Sequence, residues 1–200
     1  RERTSEKAME AASKISYASH CWNPFFLHGT KTFAFEVWEQ MDWKTPDTLV
    51  LPIGHGTLFL GTTLGFKELK EAGMIKRIPK MVGIQSASCA PLYQAFKEGW
   101  RETRPIEKKE TLAEGIAIAE PVRGRQILEV IRETGGEVLV VTEKEIKEAL
   151  KEMGRKGHFI EPTSAATIAG LKKYLRKKRR KETVISTLTG MGLKSAGKML

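Results

Sequence analysis

Two hundred residues, 40% hydrophobic and 29% charged, form an ordinary globular composition with enough length to bury roughly 70% of the unfolded surface. No apolar run reaches membrane-spanning length, and residues 1–7, Arg-Glu-Arg-Thr-Ser-Glu-Lys, lack the apolar centre of a signal peptide. A cytoplasmic protein is therefore expected, and the net charge of +10 asks for an anionic ligand or a nucleic acid.

Along the chain, residues 2–13 are polar with Ala and Met at helical spacing and read as an exposed helix. Pro24 makes the Trp22 to Phe26 stretch a loop. Phe33, Val37, Trp38 and Met41 then set a helix from Thr32 that stops before Pro46. Strands and helices alternate beyond it. The pattern predicts a strand at 48–53, a helix at 58–72, a strand at 81–85 and a helix at 92–100. After a polar connection come a helix around 126–132 and a strand at 137–141. Thr142 and Glu145 form a T-x-x-E capping box for a helix at 144–153. A further helix starts after Pro162 and runs to about Leu175, and 183–188 is the last strand. Alternation of this kind implies an α/β fold, an open and mostly parallel sheet with helices on both faces. With no internal repeat and no long low-complexity linker, residues 1–200 read as one domain.

Cys21 and Cys89 are the only cysteines and form no C-x-x-C pattern, so two free thiols are expected. The four histidines show no paired ligand spacing, and no metal site is expected. Much of the positive excess lies in residues 172–181, KKYLRKKRRK. No aromatic interleaving or nucleic-acid-binding motif accompanies that run. It reads as a solvated helix end whose cations complement the dipole, and a nucleic-acid partner is not expected.

Two turns carry the functional signal. An apolar run ending in Pro52-Ile53 turns through Gly54-His55-Gly56 and opens a helix at Thr57-Leu58. Glycine lets the backbone approach an anion, the first helical N–H groups point at it, and the dipole favours its charge. The second turn, Thr189-Gly190-Met191-Gly192, follows the last β-like run. Ligands of open α/β sheets sit at the carboxyl ends of strands, so Thr189 and the Gly54 turn are expected to face one crevice.

The order of several short motifs adds to this: Gly54 to Thr57, Gly65-Phe66-Lys67-Glu68-Leu69, Gly83-Ile84-Gln85, Cys89-Ala90-Pro91-Leu92, Thr111 to Ile118 with Pro121-Val122-Arg123-Gly124, Glu161 to Ala166, and Leu188 to Lys194. Together they resemble the C-terminal half of threonine synthase, a fold-type II enzyme that uses pyridoxal 5′-phosphate. The resemblance runs from about Ile15 onward. It implies that Gly54, His55, Gly56, Thr57 and Leu58 hold the cofactor phosphate and that Thr189 hydrogen-bonds the pyridine nitrogen. A neutral hydroxyl there does not hold that nitrogen protonated. His55 stands where asparagine is usual in the family, and Thr57 where many members have glycine; backbone donors survive both changes. Glu161 matches a position near the cofactor ring and is equally placed as a partner for a helix dipole. Ser86, Ser88 and Arg123 read as ordinary turn chemistry.

The resemblance also implies a lysine that the chain lacks. The family's Schiff-base lysine sits in a Ser-x-Lys-Asp-Arg-type motif of the N-terminal half. Ser5-Glu6-Lys7 has no acidic-Arg continuation, and no other lysine here comes closer. The 200 residues are thus expected to be an incomplete cofactor-binding domain, inactive alone. The parent would convert O-phosphohomoserine and water to threonine and phosphate. A missing N-terminal portion or partner chain, and a homodimer, are the expected macromolecular partners. Two other readings stay open: a serine/threonine dehydratase or cysteine synthase on the same fold, and a non-catalytic module binding phosphate or nucleic acid.

Overall fold

Strands β1 (Thr48–Pro52), β2 (Lys80–Ser86) and β3 (Glu137–Val141) are near-continuous apolar runs, as a sheet buried on both faces requires. The computed structural model describes residues 2–177 and 181–199. Its sheet has the order β3-β2-β1-β4, with β4 at Val184–Ser186, and every pair is parallel. Side chains alternate across it. Leu49, Leu51, Met81 and Val138 enter one core, whereas Val50, Val82, Ile84, Leu139 and Val141 enter the other.

The first core is covered by α3 (Thr32–Gln40), α4 (Thr57–Glu71), α5 (Pro91–Lys97) and α6 (Gly124–Glu133), through residues such as Trp38, Phe59, Phe66, Leu92, Ile127 and Ile131. The second is covered by α7 (Glu143–Arg155) and α8 (Pro162–Arg176), through Ile146, Ala149, Ala165, Ala166 and Tyr174. The predicted doubly covered parallel sheet is what the chain forms. The capping box is present as well. The Thr142 hydroxyl accepts from the Glu145 amide, and the Glu145 carboxylate accepts from the Thr142 amide at 2.8 Å.

The differences from expectation are local. Helix α1 spans Glu2–Ala12, close to its predicted extent. A short helix α2 (Phe26–Thr30), not among the predicted elements, begins where the Trp22 to Phe26 loop ends, and it docks on α4 through the Thr30 hydroxyl, 3.0 Å from the Thr57 carbonyl. β4 keeps three of its six predicted residues. Single 3-10 turns occur at Glu114–Ile116 and Gly192–Ser195, and a short α9 closes the description at Ala196–Met199. Cys21 and Cys89 are buried free thiols whose pKa values are raised by desolvation. Among the described residues no helix is long and apolar enough to cross a membrane.

A three-residue strand at a sheet edge needs help to hold its register. β4 receives it from a polar clasp at its start. The Asp47 amide donates to the Thr183 carbonyl at 2.9 Å, and the Thr183 amide donates to Asp47 Oδ2 at 2.8 Å. Beneath this, Tyr174 donates to Glu182 Oε2 at 2.7 Å and sits 3.0 Å from the Thr48 hydroxyl. At the other end the Ser186 hydroxyl donates to the Val50 carbonyl at 2.9 Å.

The Thr183 amide, and then the Arg77 guanidinium, hold the Asp47 carboxyl below the ordinary carboxylate range. A carboxyl lowered in the folded state contributes stability above its unfolded pKa of about 4 and loses it as pH falls through the folded value. Urea unfolding at pH 6 and pH 3 is expected to show a smaller acid-induced loss for Asp47→Asn than for the native chain. An equal loss in both would remove Asp47 from the clasp.

Candidate functional site: the carboxyl edge of β1 and β4

Parallel pairing of β1 with β4 runs Thr48 to Val184, Leu49 to Ile185 and Val50 to Ser186. Three residues past the last pair lie Ile53 on one strand and Thr189 on the other, so both glycine turns leave the sheet at its carboxyl edge from adjacent strands. Open α/β sheets place ligands at this edge.

The first turn is shaped by crowding. Gly56 has φ +82°, a left-handed conformation, and serves as the N-cap of α4. A Cβ there would overlap the Ile127 side chain of α6, with Cγ1 at 2.8 Å. A Cβ at Gly54 would stand 3.1 Å from the Gly115 carbonyl oxygen and 3.3 Å from the Ile116 Cα. The turn is thus pressed between α6 and the 115–118 segment, and a side chain at Gly56 would be both strained and in collision. No side chain caps the 15-residue α4, whose opening amides lie at Thr57 and Leu58. His55 Nδ1 is buried and has no hydrogen-bond partner. Burial, with His20 nearby, lowers the His55 pKa, which leaves the ring neutral at pH 7. The uncapped helix start offers amide donors, and His55 Nδ1 beside it donates or accepts according to the ring's tautomer.

The second turn is organised by hydroxyl groups. The Thr189 and Gly190 amides donate to Ser164 Oγ at 2.8 and 3.3 Å. Ser164 Oγ and Thr189 Oγ1 lie 3.0 Å apart, and Thr189 donates to Glu161 Oε1 at 2.7 Å. Since the single hydroxyl proton of Thr189 goes to Glu161, Ser164 must donate to Thr189. Thr189 is itself exposed, and one lone pair of its oxygen is left for a ligand. The Glu161 amide accepts no such role; it donates to the Gly190 carbonyl at 3.0 Å and so fixes the turn from its other side.

Between the two turns runs the connection from α5 to α6. Its Gly115 packs on Gly54 at one side and, as a Cβ there would show, within 2.7 Å of Thr163 Oγ1 at the other. Several residues read as plain turn chemistry have longer reach. Arg123 donates to the Cys21 carbonyl at 3.1 Å and to the Trp22 carbonyl at 3.0 Å, binding residues about a hundred positions earlier. Ser86 is fully buried; its hydroxyl donates to Glu143 Oε1 at 3.1 Å and lies 2.9 Å from the Thr111 hydroxyl. Gln85, also fully buried, accepts from the Tyr93 amide at 3.0 Å behind the Ile53 turn. Gln85 and Arg123 lie within the short sequence motifs, but no local pattern names their partners; the polar residues at β2's carboxyl end are a positional hint.

Three lysines of the basic run are held in ion pairs among the described residues. Lys172 pairs with Glu152, Lys173 with Glu145 at 2.8 Å and Lys177 with Glu137 at 3.3 Å. Its residues 178–180 lie outside the described residues. No group of three or more His, Cys, Asp or Glu side chains suited to a metal ion occurs among the described residues.

A parallel sheet with two glycine turns at its carboxyl edge is an α/β ligand-binding arrangement, and comparison with known proteins gives its class. Residues 1–190 match the family described as pyridoxal-phosphate dependent enzyme, and the chain belongs to that family. It is 40% identical to the threonine synthase of Methanocaldococcus jannaschii over 187 residues, covering 92% of the chain and 46% of that protein. It is likewise 40% identical to the threonine synthase of Methanosarcina acetivorans over 181 residues, 89% of the chain and 45% of that protein. The chain therefore spans about half the length of these relatives. Among solved structures, serine racemase from Dictyostelium discoideum superposes with a TM-score of 0.68 at 26% identity, covering 96% of this chain and 58% of that one. The processed form of threonine deaminase isoform 2 from Solanum lycopersicum shares the fold with a TM-score of 0.75 at 22% identity, covering 96% and 54%.

Gly56→Ala forces a side chain into a left-handed position and against Ile127, at a cost of about 2–4 kcal/mol. The melting temperature is expected to fall by roughly 5–15 °C. An unchanged melt would mean the turn is free to move.

Proposed function

We propose that this chain is the cofactor-phosphate half of a threonine synthase, and that its parent converts O-phosphohomoserine and water to L-threonine and phosphate. The observation that carries the reading is the exit of the Gly54 turn and Thr189 from adjacent strands at one edge of the sheet. Identity to two threonine synthases at 40% selects this activity over a serine/threonine dehydratase or cysteine synthase.

In this reading the phosphate of pyridoxal 5′-phosphate lies against Gly54, His55, Gly56, Thr57 and Leu58. Charge-assisted hydrogen bonds from the opening amides of α4 contribute about 1.5–3 kcal/mol each, so a few suffice to anchor a dianion. A neutral His55 adds one N–H donor and no charge of its own. At the far end Thr189 meets the pyridine nitrogen. Its proton rests on Glu161 and it accepts from Ser164, so its remaining lone pair would accept from the ring nitrogen only where that nitrogen carried a proton, which a neutral hydroxyl does not itself enforce. For a bare nitrogen the Thr189 proton must swing away from Glu161. Either way the Ser164 contacts to the Thr189 and Gly190 amides hold the hydroxyl in place. When bound, the cofactor supplies the electron sink for carbanion chemistry at the substrate.

The amine that must join the cofactor comes from elsewhere, in an upstream portion or partner chain. β4 is an edge strand, and Phe159, Leu188, Met191 and Leu193 stand exposed next to Thr189. An open edge flanked by apolar surface is what another polypeptide covers. The complete protein is a cytoplasmic homodimer in this account.

Two measurements test the proposal. Pyridoxal phosphate mixed with the 200-residue chain and treated with borohydride should leave no lysine stably modified at a single position; one such adduct contradicts the missing-lysine reading. With the upstream polypeptide supplied, phosphohomoserine should yield threonine and phosphate while serine releases no ammonia. The reverse preference would favour the dehydratase.

A further inference from the structure

The connection between α5 and α6, residues 98–123, is unusually long for a segment whose only regular structure is one 3-10 turn. It does not lie loose. Ala113 is fully buried and Ile116 nearly so, both in the core beneath α7 and α8, and the next residues form the wall against which Gly54 is pressed. What fixes the start of this wall is a single carboxylate. Glu143, the first residue of α7, takes the Leu112 amide on Oε2 at 2.9 Å and the Thr111 hydroxyl on Oε1. The same Oε1 also takes the Ser86 hydroxyl at 3.1 Å. Thr111 in turn accepts from the Ala113 amide at 3.2 Å, and Ser86 accepts from the Ser88 amide at 3.2 Å.

The Leu112 amide and the Thr111 and Ser86 hydroxyls all belong to different elements from Glu143, and its carboxylate is the acceptor on which these three converge. The network joins β2's carboxyl end, α7's first turn and the 111–113 segment. Neighbouring Glu145 is spent otherwise, on the Thr142 cap and on Lys173. Two acids in one helical turn therefore do separate jobs. Glu145 closes the helix, and Glu143 reaches back to the connection.

We propose that Glu143 is a positioning residue for the phosphate turn. It pins Thr111 and Leu112 to the sheet's carboxyl edge, so that Gly115, Ile116 and Ile118 confine the Gly54 turn in the conformation that presents its amides. The effect on cofactor affinity rests on the phosphate reading of that turn; the effect on the turn itself does not.

The test compares Glu143→Ala, Glu143→Gln and, as a control of similar structural cost, Glu145→Ala in the 200-residue chain, by amide hydrogen exchange. Glu143→Ala should speed exchange about tenfold or more at residues 111–118 and at the Gly54 turn. Glu143→Gln keeps an acceptor oxygen for the Leu112 amide and gains an N–H for a hydroxyl oxygen, so it should restore protection. Glu145→Ala should lower the melting temperature while leaving those two segments protected. Equal exchange in the two alanine variants, or no rescue by glutamine, overturns the assignment. Pyridoxal phosphate binding, followed by absorbance, separates the two claims. Weakening by about tenfold in Glu143→Ala alone supports both. Altered exchange in a chain whose native form shows no affinity for the cofactor supports the role of Glu143 and sinks the phosphate reading.

Discussion

The parallel pairing of β1 with β4 is the constraint on which the rest depends. It joins segments 136 residues apart through three residue pairs, and it brings the turn after β1 and the turn after β4 out of the sheet at the same edge from adjacent strands. So few ladder bonds do not hold an edge strand in register. The Asp47–Thr183 amide exchange and the Tyr174–Glu182–Thr48 cluster supply what the ladder lacks. Because side chains alternate with a period of two, a slip of one residue would turn Ser186 from the Val50 carbonyl and carry Thr189 away from Ser164.

With that register set, the site is assembled by packing more than by charge. Gly56 is held between Ile127 and the start of α4, and Gly54 against the Gly115 carbonyl. The polar groups that matter are aimed by neighbours: Ser164 and Glu161 aim Thr189, and Gln85 buttresses the Ile53 turn. The protein thus presents donors and acceptors in fixed directions before any ligand arrives. Preorganisation of this kind lowers the ordering cost that binding would otherwise carry.

What was legible in the sequence was whatever acts locally. The apolar runs of β1 to β3, the T-x-x-E box before α7 and the glycines that open α4 all declare themselves within a few residues. β4 ends earlier than its β-like run suggests: pairing stops at Ser186 opposite Val50, although by the same register the run reaches Leu188 opposite Pro52. Helix α2 was hidden by Pro24 and by the scarcity of periodic apolar positions in five residues. The roles of Glu143, Ser86 and Arg123 depend on contacts across 25 to 102 positions, and such contacts follow from topology, which no local pattern encodes. Glu161 shows both sides of this limit. It precedes Pro162 at the head of α8, as a dipole partner would, yet its carboxylate is taken up by Thr189.

The most direct test of the account is a heteronuclear NMR titration of the 15N-labelled chain with pyridoxal 5′-phosphate. Saturable shifts appearing together at the amides of residues 54–58 and at Thr189 and Gly190, with one common affinity, are the predicted result. Shifts confined to the lysine-rich end of α8, or two turns responding with unrelated affinities, would contradict a single ligand held between them.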